Sequence, residues 1–459
     1  MRRLVLAACL LLAACTGSYD SDTTTTSTWV TLPPVTTTIP QVDVQLEDCD
    51  QPPVTFSALC ESFELLEEWY VDRPVDRVRL VGLARDALVQ DLSDLAPTEA
   101  PRTLFCAVPD PTFAPFCEAL ADLVEERPVD VQALMDRVVG TVIEDAYGPF
   151  TYYLAPDQVT TIRDNGVVGG IGVLLDATDP AGSKCARLGP TCPLRIVFTL
   201  DDNPGKAAGL QADDVVLEVD GISVDGQGFA ATAARIAGDE TGEVNLTIDR
   251  DGERLEFTIV RARLHVPTVT GGIVQDGVAY LRIPDFEGDV PGLVFDALSS
   301  IEGDWSTMVL DLRDNPGGLV SAVVEVASEF ISDGPVFLED EGLGDPFPVE
   351  SLGPGGLATS GRIIVLVNGG TASAAEILTG ALRDRRDAVV IGTPTFGKDA
   401  VQIPFDMRNG GRLAVVVARW LTPEGASVGN GGLRPDVELE LTHEMTETQL
   451  VEAALEAAR

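Results

Sequence analysis

Between residues 57 and 143, apolar side chains recur at the three- and four-residue spacing of one helix face. The stripes are Phe63, Leu65, Leu66, Trp69 and Tyr70, then Leu80, Leu83, Ala84 and Leu88, then Leu134, Val138, Val139 and Val142, with Pro-rich turns between them. This predicts a helical N-terminal region. From Gly166 to Arg263 the period shortens to β-branched runs between Gly and Asp turns: Ile171 to Leu175, Ile196 to Thr199, Val215 to Val219, Val244 to Ile248 and Leu255 to Val260. Asp249-Arg250-Asp251-Gly252 reads as a hairpin turn, so a small β-rich module is expected. Farther on, strands at Val278 to Ile283, Met308 to Leu312, Ile363 to Val367, Ala388 to Ile391 and Leu413 to Ala418 alternate with helical stretches at Val290 to Leu298, Leu319 to Ile331 and Ala372 to Arg383. That alternation predicts an α/β core, and the chain as a whole reads as multidomain α/β.

The first residues follow a different logic. Arg2 and Arg3 precede an apolar run from Leu4 to Ala14 that ends Leu12-Ala13-Ala14-Cys15. The run is far shorter than the ~20 residues of a spanning helix and has the form of an export signal. Its end resembles a bacterial lipobox, which implies a lipid-modified Cys15 and attachment to the outer face of the cell membrane; an ordinary signal peptide cut elsewhere is the alternative. Residues 16–46 hold Thr23 to Thr26, Thr36 to Thr38, Pro33, Pro34 and Pro40 and read as a tether. The divisions expected are therefore 1–15, 16–46, a helical region 47–165, the β module 166–263 and the α/β core 264–459.

Composition narrows the chemistry. With 459 residues, 31 Lys+Arg against 73 Asp+Glu and a formal charge of -42, the chain repels phosphate backbones, so nucleic-acid binding is not expected. Eight cysteines include Cys9 in the signal and Cys15 at its end. Cys49, Cys60, Cys106, Cys117, Cys185 and Cys192 remain, an even number that suggests disulfides in an exported chain. They fall into near neighbours, 49 with 60, 106 with 117 and 185 with 192, although six cysteines formally allow 15 connectivities. No C-x-x-C occurs and neither His265 nor His443 sits by a cysteine pair, so no metal site is expected.

Three loops of the core carry more glycine and polar residues than packing requires. Asp311-Leu312-Arg313-Asp314-Asn315-Pro316-Gly317-Gly318 joins a strand to a helix and can present bare N–H groups to an oxyanion. Asn368-Gly369-Gly370-Thr371-Ala372-Ser373-Ala374-Ala375-Glu376 repeats that pattern and sets Ser373 on a sharp turn at a positive helix end. Thr395-Phe396-Gly397-Lys398-Asp399-Ala400-Val401-Gln402 holds the core's lysine; run out extended, it points Lys398 and Gln402 to one side. Histidine is scarce, and a buried lysine that loses its proton suits the role of base better.

In order and spacing these loops resemble the signature segments of the carboxyl-terminal processing serine peptidases, a family that includes the tail-specific proteases. The resemblance runs from about Tyr147 to Glu440. Tyr147-Gly148-Pro149-Phe150-Thr151-Tyr152-Tyr153-Leu154 is similar to the family's D-P-Y-S-x-Y-L, Gly169-Gly170-Ile171-Gly172-Val173 to the opening of its PDZ domain, and Leu421-Thr422-Pro423-Glu424-Gly425 with Leu433-Arg434-Pro435-Asp436 to its closing motif. The resemblance implies Ser373 as nucleophile, Lys398 as general base, Gln402 as the residue that orients the lysine, and the N–H groups of Gly318 and Ala374 as oxyanion donors. It implies a core of the spiral crotonase-like type and a PDZ domain in which Gly170, Ile171, Gly172 and Val173 receive the terminal carboxylate of an apolar substrate tail. Two departures stand out: Ser373-Ala374-Ala375-Glu376 where S-A-S-E is frequent, and Asp399 after Lys398 where the family has glycine. A carboxylate there could hold the amine in its charged form. The resemblance requires no metal or organic cofactor. A catalytically silent PDZ scaffold and a crotonase-like acyl enzyme are the competing readings, and homo-oligomer formation is left open.

Overall fold

Helices form where the helical period runs: α1 (Val54–Trp69), α2 (Arg77–Ala87), α3 (Ala114–Glu126) and α4 (Val131–Tyr147). Asp76 and Asp130 begin α2 and α4, accepting from the N–H of Arg79 at 3.0 Å and of Gln132 at 2.9 Å, which satisfies donors that a helix start leaves unpaired. The computed structural model describes residues 54–88, 113–127, 129–163, 169–200, 202–238, 242–264, 268–301, 305–353, 356–429, 431–442 and 445–459. The signal with Cys15, the tether, Cys49, Cys106, His265 and His443 lie outside them. Cys60 and Cys117 are disulfide-bonded.

The buried faces of these helices, with Phe63, Leu66, Leu120 and Val138, close on Tyr153, Met407, Leu413 and Val415 from much later in the chain. Each such side chain contributes about 1.5–3 kcal/mol when fully buried. The helical region is therefore packed onto a sheet of the core. That sheet runs β1 (Tyr152–Leu154), β18 (Arg412–Leu421), β13 (Pro335–Asp340), β14 (Phe347–Glu350), with β17 (Ala400–Asp406) also paired to β18. After β1, α5 (Pro156–Arg163) leads toward the β module.

The module opens and closes on a short ladder, β2 (Gly169–Gly170) against β9 (Ala262–Arg263). Between them lies an antiparallel sheet in the order β3 (Val173–Ala177), β4 (Leu194–Thr199), β5 (Val215–Val219), β7 (Glu243–Arg250), β8 (Glu253–Val260), with β6 (Ile222–Ser223) on β5. Its helices are α6 (Pro204–Ala208) and α7 (Phe229–Ala237). Arg250 pairs with Glu253 across Asp251 and Gly252, whose φ angles of 54° and 85° suit the two-residue hairpin turn the sequence suggested. A disulfide between Cys185 and Cys192 staples the excursion between β3 and β4.

The core sheet runs β10 (Thr270–Gln275), β11 (Gly277–Arg282), β12 (Trp305–Asp311), β15 (Arg362–Val367), β16 (Val389–Gly392), β19 (Val437–Glu438). Only the β10–β11 pairing is antiparallel among the pairings in this sheet. Residues along each strand alternate between faces. Met308, Leu310, Ile363 and Val365 bury with α8 (Val290–Ser300), α9 (Val320–Phe330) and α10 (Ala374–Arg386), whereas Val309, Ile364 and Leu366 bury with α11 (Glu447–Ala457). Cover on both faces explains why these strands read as unbroken apolar runs.

Candidate active site

The three singled-out loops leave the carboxyl ends of β12, β15 and β16, which are neighbours in the parallel sheet. Topology alone thus gathers segments distant in sequence, at the place where open α/β sheets carry their sites.

The first two loops are tied directly. Asp314 accepts from Asn368 Nδ2 at 2.8 Å while its own N–H donates to Asn368 Oδ1 at 2.9 Å. The N–H of Ala372 donates to the carbonyl of Asn315 at 2.9 Å, and Thr371 Oγ1 to that of Leu312 at 2.8 Å. Gly317, with φ of 99°, packs so closely on the second loop that a Cβ there would lie 2.8 Å from Ser373 Cβ and 2.9 Å from Ala374 N. Gly318 has φ of 146°, and a Cβ would meet the carbonyl of Phe286 at 2.5 Å, so only glycine fits. The N–H groups of Gly318 and Ala374 donate to no acceptor among the described residues.

Ser373 stands at the start of α10 with φ 53° and ψ -115°, a backbone conformation that side chains other than glycine rarely adopt and that costs on the order of 1–3 kcal/mol. What holds it is Glu376, fully buried one turn into α10. Glu376 Oε2 accepts from the N–H of Ser373 at 2.8 Å and of Lys398 at 2.9 Å, and Oε1 from Gly397 N at 2.7 Å and Thr395 Oγ1 at 2.5 Å. Burial raises the carboxyl's pKa, opposed by these donors. The third loop is fixed from behind as well: Trp420 Nε1 donates to the carbonyl of Lys398 at 2.9 Å, and Leu433 N to Thr395 Oγ1 at 2.7 Å.

The Lys398 amine makes no hydrogen bond or ion pair among the described residues; its near neighbour is the ring of Phe150, 5.9 Å from Nζ to the centroid. Burial pushes its pKa down, and the charge of Glu376 only partly restores it. The Asp399 carboxylate lies by Ser427 Oγ at 3.3 Å and against Gly429.

The regular strand covers only part of the run from Lys398 to Gln402. β17 begins at Ala400, two residues past Lys398, and its pairing with β18 shifts register between Val401 and Gln402, with Val417 of β18 as the extra residue. Gln402 Nε2 donates to the carbonyl of Phe150.

Gly170 to Val173 lie at the mouth of the β module. Gly172 has φ of 72°, the carbonyl of Ile171 accepts from Gly205 N at 2.7 Å, and the N–H groups of Ile171 and Gly172 donate to no described acceptor. Val173 starts β3, the edge strand of its sheet. The module touches two of the core's loops: Gly370 of the Ser373 loop packs on Phe198 of β4, and Lys184 Nζ lies 3.6 Å from the centroid of Phe396 in the Lys398 loop.

Sequence reasoning quoted Glu376 and Phe150 without giving either a task. The spacing of Ser373 and Glu376, that of a helix-start residue and its third helical position, was the available signal for the first. Nothing local marks the second, because its partners are distant in the chain.

Residues 277–439 match the family described as Peptidase family S41. The chain is similar to a probable CtpA-like serine protease of Staphylococcus haemolyticus (strain JCSC1435), 30% identical over 310 residues, or 67% of this chain and 60% of that protein. It is 31% identical over 316 residues to one of the same description from Staphylococcus aureus (strain COL), covering 68% and 61%. The matches thus span about three fifths of those relatives. Among solved structures, the photosystem II D1 C-terminal processing protease superposes with a TM-score of 0.64 at 23% identity, over 89% of this chain and 98% of that one, which shows a shared fold.

Proposed function

Residues 277–439 match peptidase family S41, and we propose that the chain is a serine endopeptidase that cleaves proteins presented by their C-terminal tails. Ser373 is the nucleophile and Lys398 the general base that takes its proton and returns it to the leaving amine; the N–H groups of Gly318 and Ala374 stabilise the oxyanion of each tetrahedral intermediate. Gln402, with Nε2 committed to Phe150, keeps Oε1 to accept from the Lys398 amine and orient it. The observation that carries this reading is the shared carboxylate of Glu376, which binds the main chain of a strained serine and of a half-buried lysine at once.

The β module, residues 166–263, is read as a PDZ domain whose turn at Gly170, Ile171, Gly172 and Val173 receives a free carboxylate while the tail adds beside β3. The core is read as the spiral crotonase-like type. Export, with a lipid on Cys15, would place the enzyme on the outer face of the membrane, on substrates that have lost their fold. The competing reading, a silent PDZ scaffold, predicts binding without cleavage.

One experiment separates them. The purified protein is given an unfolded substrate with an apolar tail, as free acid and as C-terminal amide, with Ser373→Ala as control. Cleavage lost in the variant, and a lower kcat/KM for the amide, supports the proposal. Binding with no cleavage supports the scaffold, and equal kcat/KM for acid and amide removes carboxylate recognition.

A further inference from the structure

The helical N-terminal region received no task from the sequence, but its two exit segments meet the site. After α1, Tyr70 and Val71 lie on β18, with Val71 N donating to the carbonyl of Val416 at 2.9 Å. After α4, Thr151 is fully buried and its Oγ1 accepts from the same residue's N–H at 3.1 Å. Phe150, fixed between these anchors, packs with Tyr70, Val71, Ala400 and Val416. Its ring stands 5.9 Å from Lys398 Nζ and its carbonyl accepts from Gln402 Nε2.

We propose that Phe150 is a positioning residue for Lys398: its ring keeps water from the amine and its carbonyl holds Gln402 beside it, so that the helical region completes the catalytic site. The proposal rests on the reading of Lys398 as base. Two effects of the ring oppose each other. A ring about 6 Å from a cation attracts it weakly and favours the ammonium form, whereas exclusion of water can depress a lysine pKa by up to about 3–5 units, so screening wins. The charged groups around the amine are few: Glu376 acts on it from α10, and Asp399 is turned toward Ser427.

The test reads Lys398 itself. The chain has lysine only at Lys184, Lys206 and Lys398, so competitive acetylation with acetic anhydride across pH, followed by peptide mass spectrometry, isolates Lys398 with exposed Lys206 as reference. In Phe150→Ala the midpoint for Lys398 should rise by about one pH unit or more, the acid limb of kcat/KM should move with it, and Phe150→Tyr should restore both. If Phe150→Ala does not fold, Phe150→Val is read the same way, with a smaller rise expected. An unchanged midpoint in the folded variant overturns the proposal. The labelling needs no turnover, so it stands apart from the base assignment: activity retained by Lys398→Ala would remove the base while leaving the midpoint shift to be measured.

Discussion

Ser373 and Lys398 donate their main-chain N–H groups to the same oxygen, Glu376 Oε2, at 2.8 and 2.9 Å. The spacing of two loops is thereby set by one buried side chain, which pins their backbones and leaves the side chains of both residues available for chemistry.

Glu376→Gln is the sharpest probe of that link. The amide has nearly the same size but offers two donors of its own where the N–H groups of Ser373, Gly397 and Lys398 and the hydroxyl of Thr395 all require acceptors. Stranded buried donors cost about 1–3 kcal/mol each, so denaturant titration should show a loss of at least that size. Misplacement should lower kcat by about tenfold or more with less effect on KM. Wild-type stability together with wild-type kcat would refute the role.

Ser373→Ala and Lys398→Ala should each abolish hydrolysis, and the double variant should be no worse than either, since groups that act as one unit are not additive. Gln402→Ala should be milder. The measurement is kcat/KM on one unfolded substrate, and full turnover by Ser373→Ala would end the assignment.

The pH dependence has a definite sign. A base works as the free amine, so kcat/KM should rise with pH through the depressed Lys398 pKa and be lost below it. Stability follows the same group. The folded state binds the lysine proton less readily than the unfolded chain, whose lysine titrates near 10.4, so stability rises with pH between the two values. Lys398→Met should therefore melt above wild type at neutral pH, and that advantage should vanish above about pH 10.4. A constant difference in Tm across this range would contradict a lysine whose pKa is depressed in the folded state.

Glu144 gives the opposite slope. It is buried in α4 against Gly228, at the start of α7, and burial raises its pKa from 4.5 to about 8, with Arg187 lowering and Asp145 raising it. The folded state keeps a proton that the unfolded chain releases, so stability present at low pH is lost as pH climbs through about 8. Glu144→Gln cannot ionise. Its Tm should match wild type near pH 4 and exceed it by several degrees above pH 8; parallel Tm curves would show that Glu144 titrates normally.

Much of this site was legible before the fold was known, for a physical reason. Gly317, Gly318 and Ser373 stand where the backbone needs unusual φ, and such needs dictate residue type locally. The apolar runs of β12 and β15 were likewise plain because both faces of the sheet are covered. Short elements were not: α7 spans only nine residues, too few for a periodic pattern to stand out, and β13 and β19 are defined by partners remote in sequence. The same distance hid Phe150 from Lys398.

The closure of the helical region onto β17 and β18 also orders events in time. Glu61 accepts from the N–H of Arg408 across a sequence separation of 347 residues. At about 5–20 residues per second, a ribosome needs roughly 17–70 s to make that stretch. Until then α1 to α4 have no Met407, Leu413 or Val415 to cover their apolar face. The nascent chain must carry this greasy, half-finished bundle through most of its synthesis, which makes it the stretch a holding chaperone would have to shield.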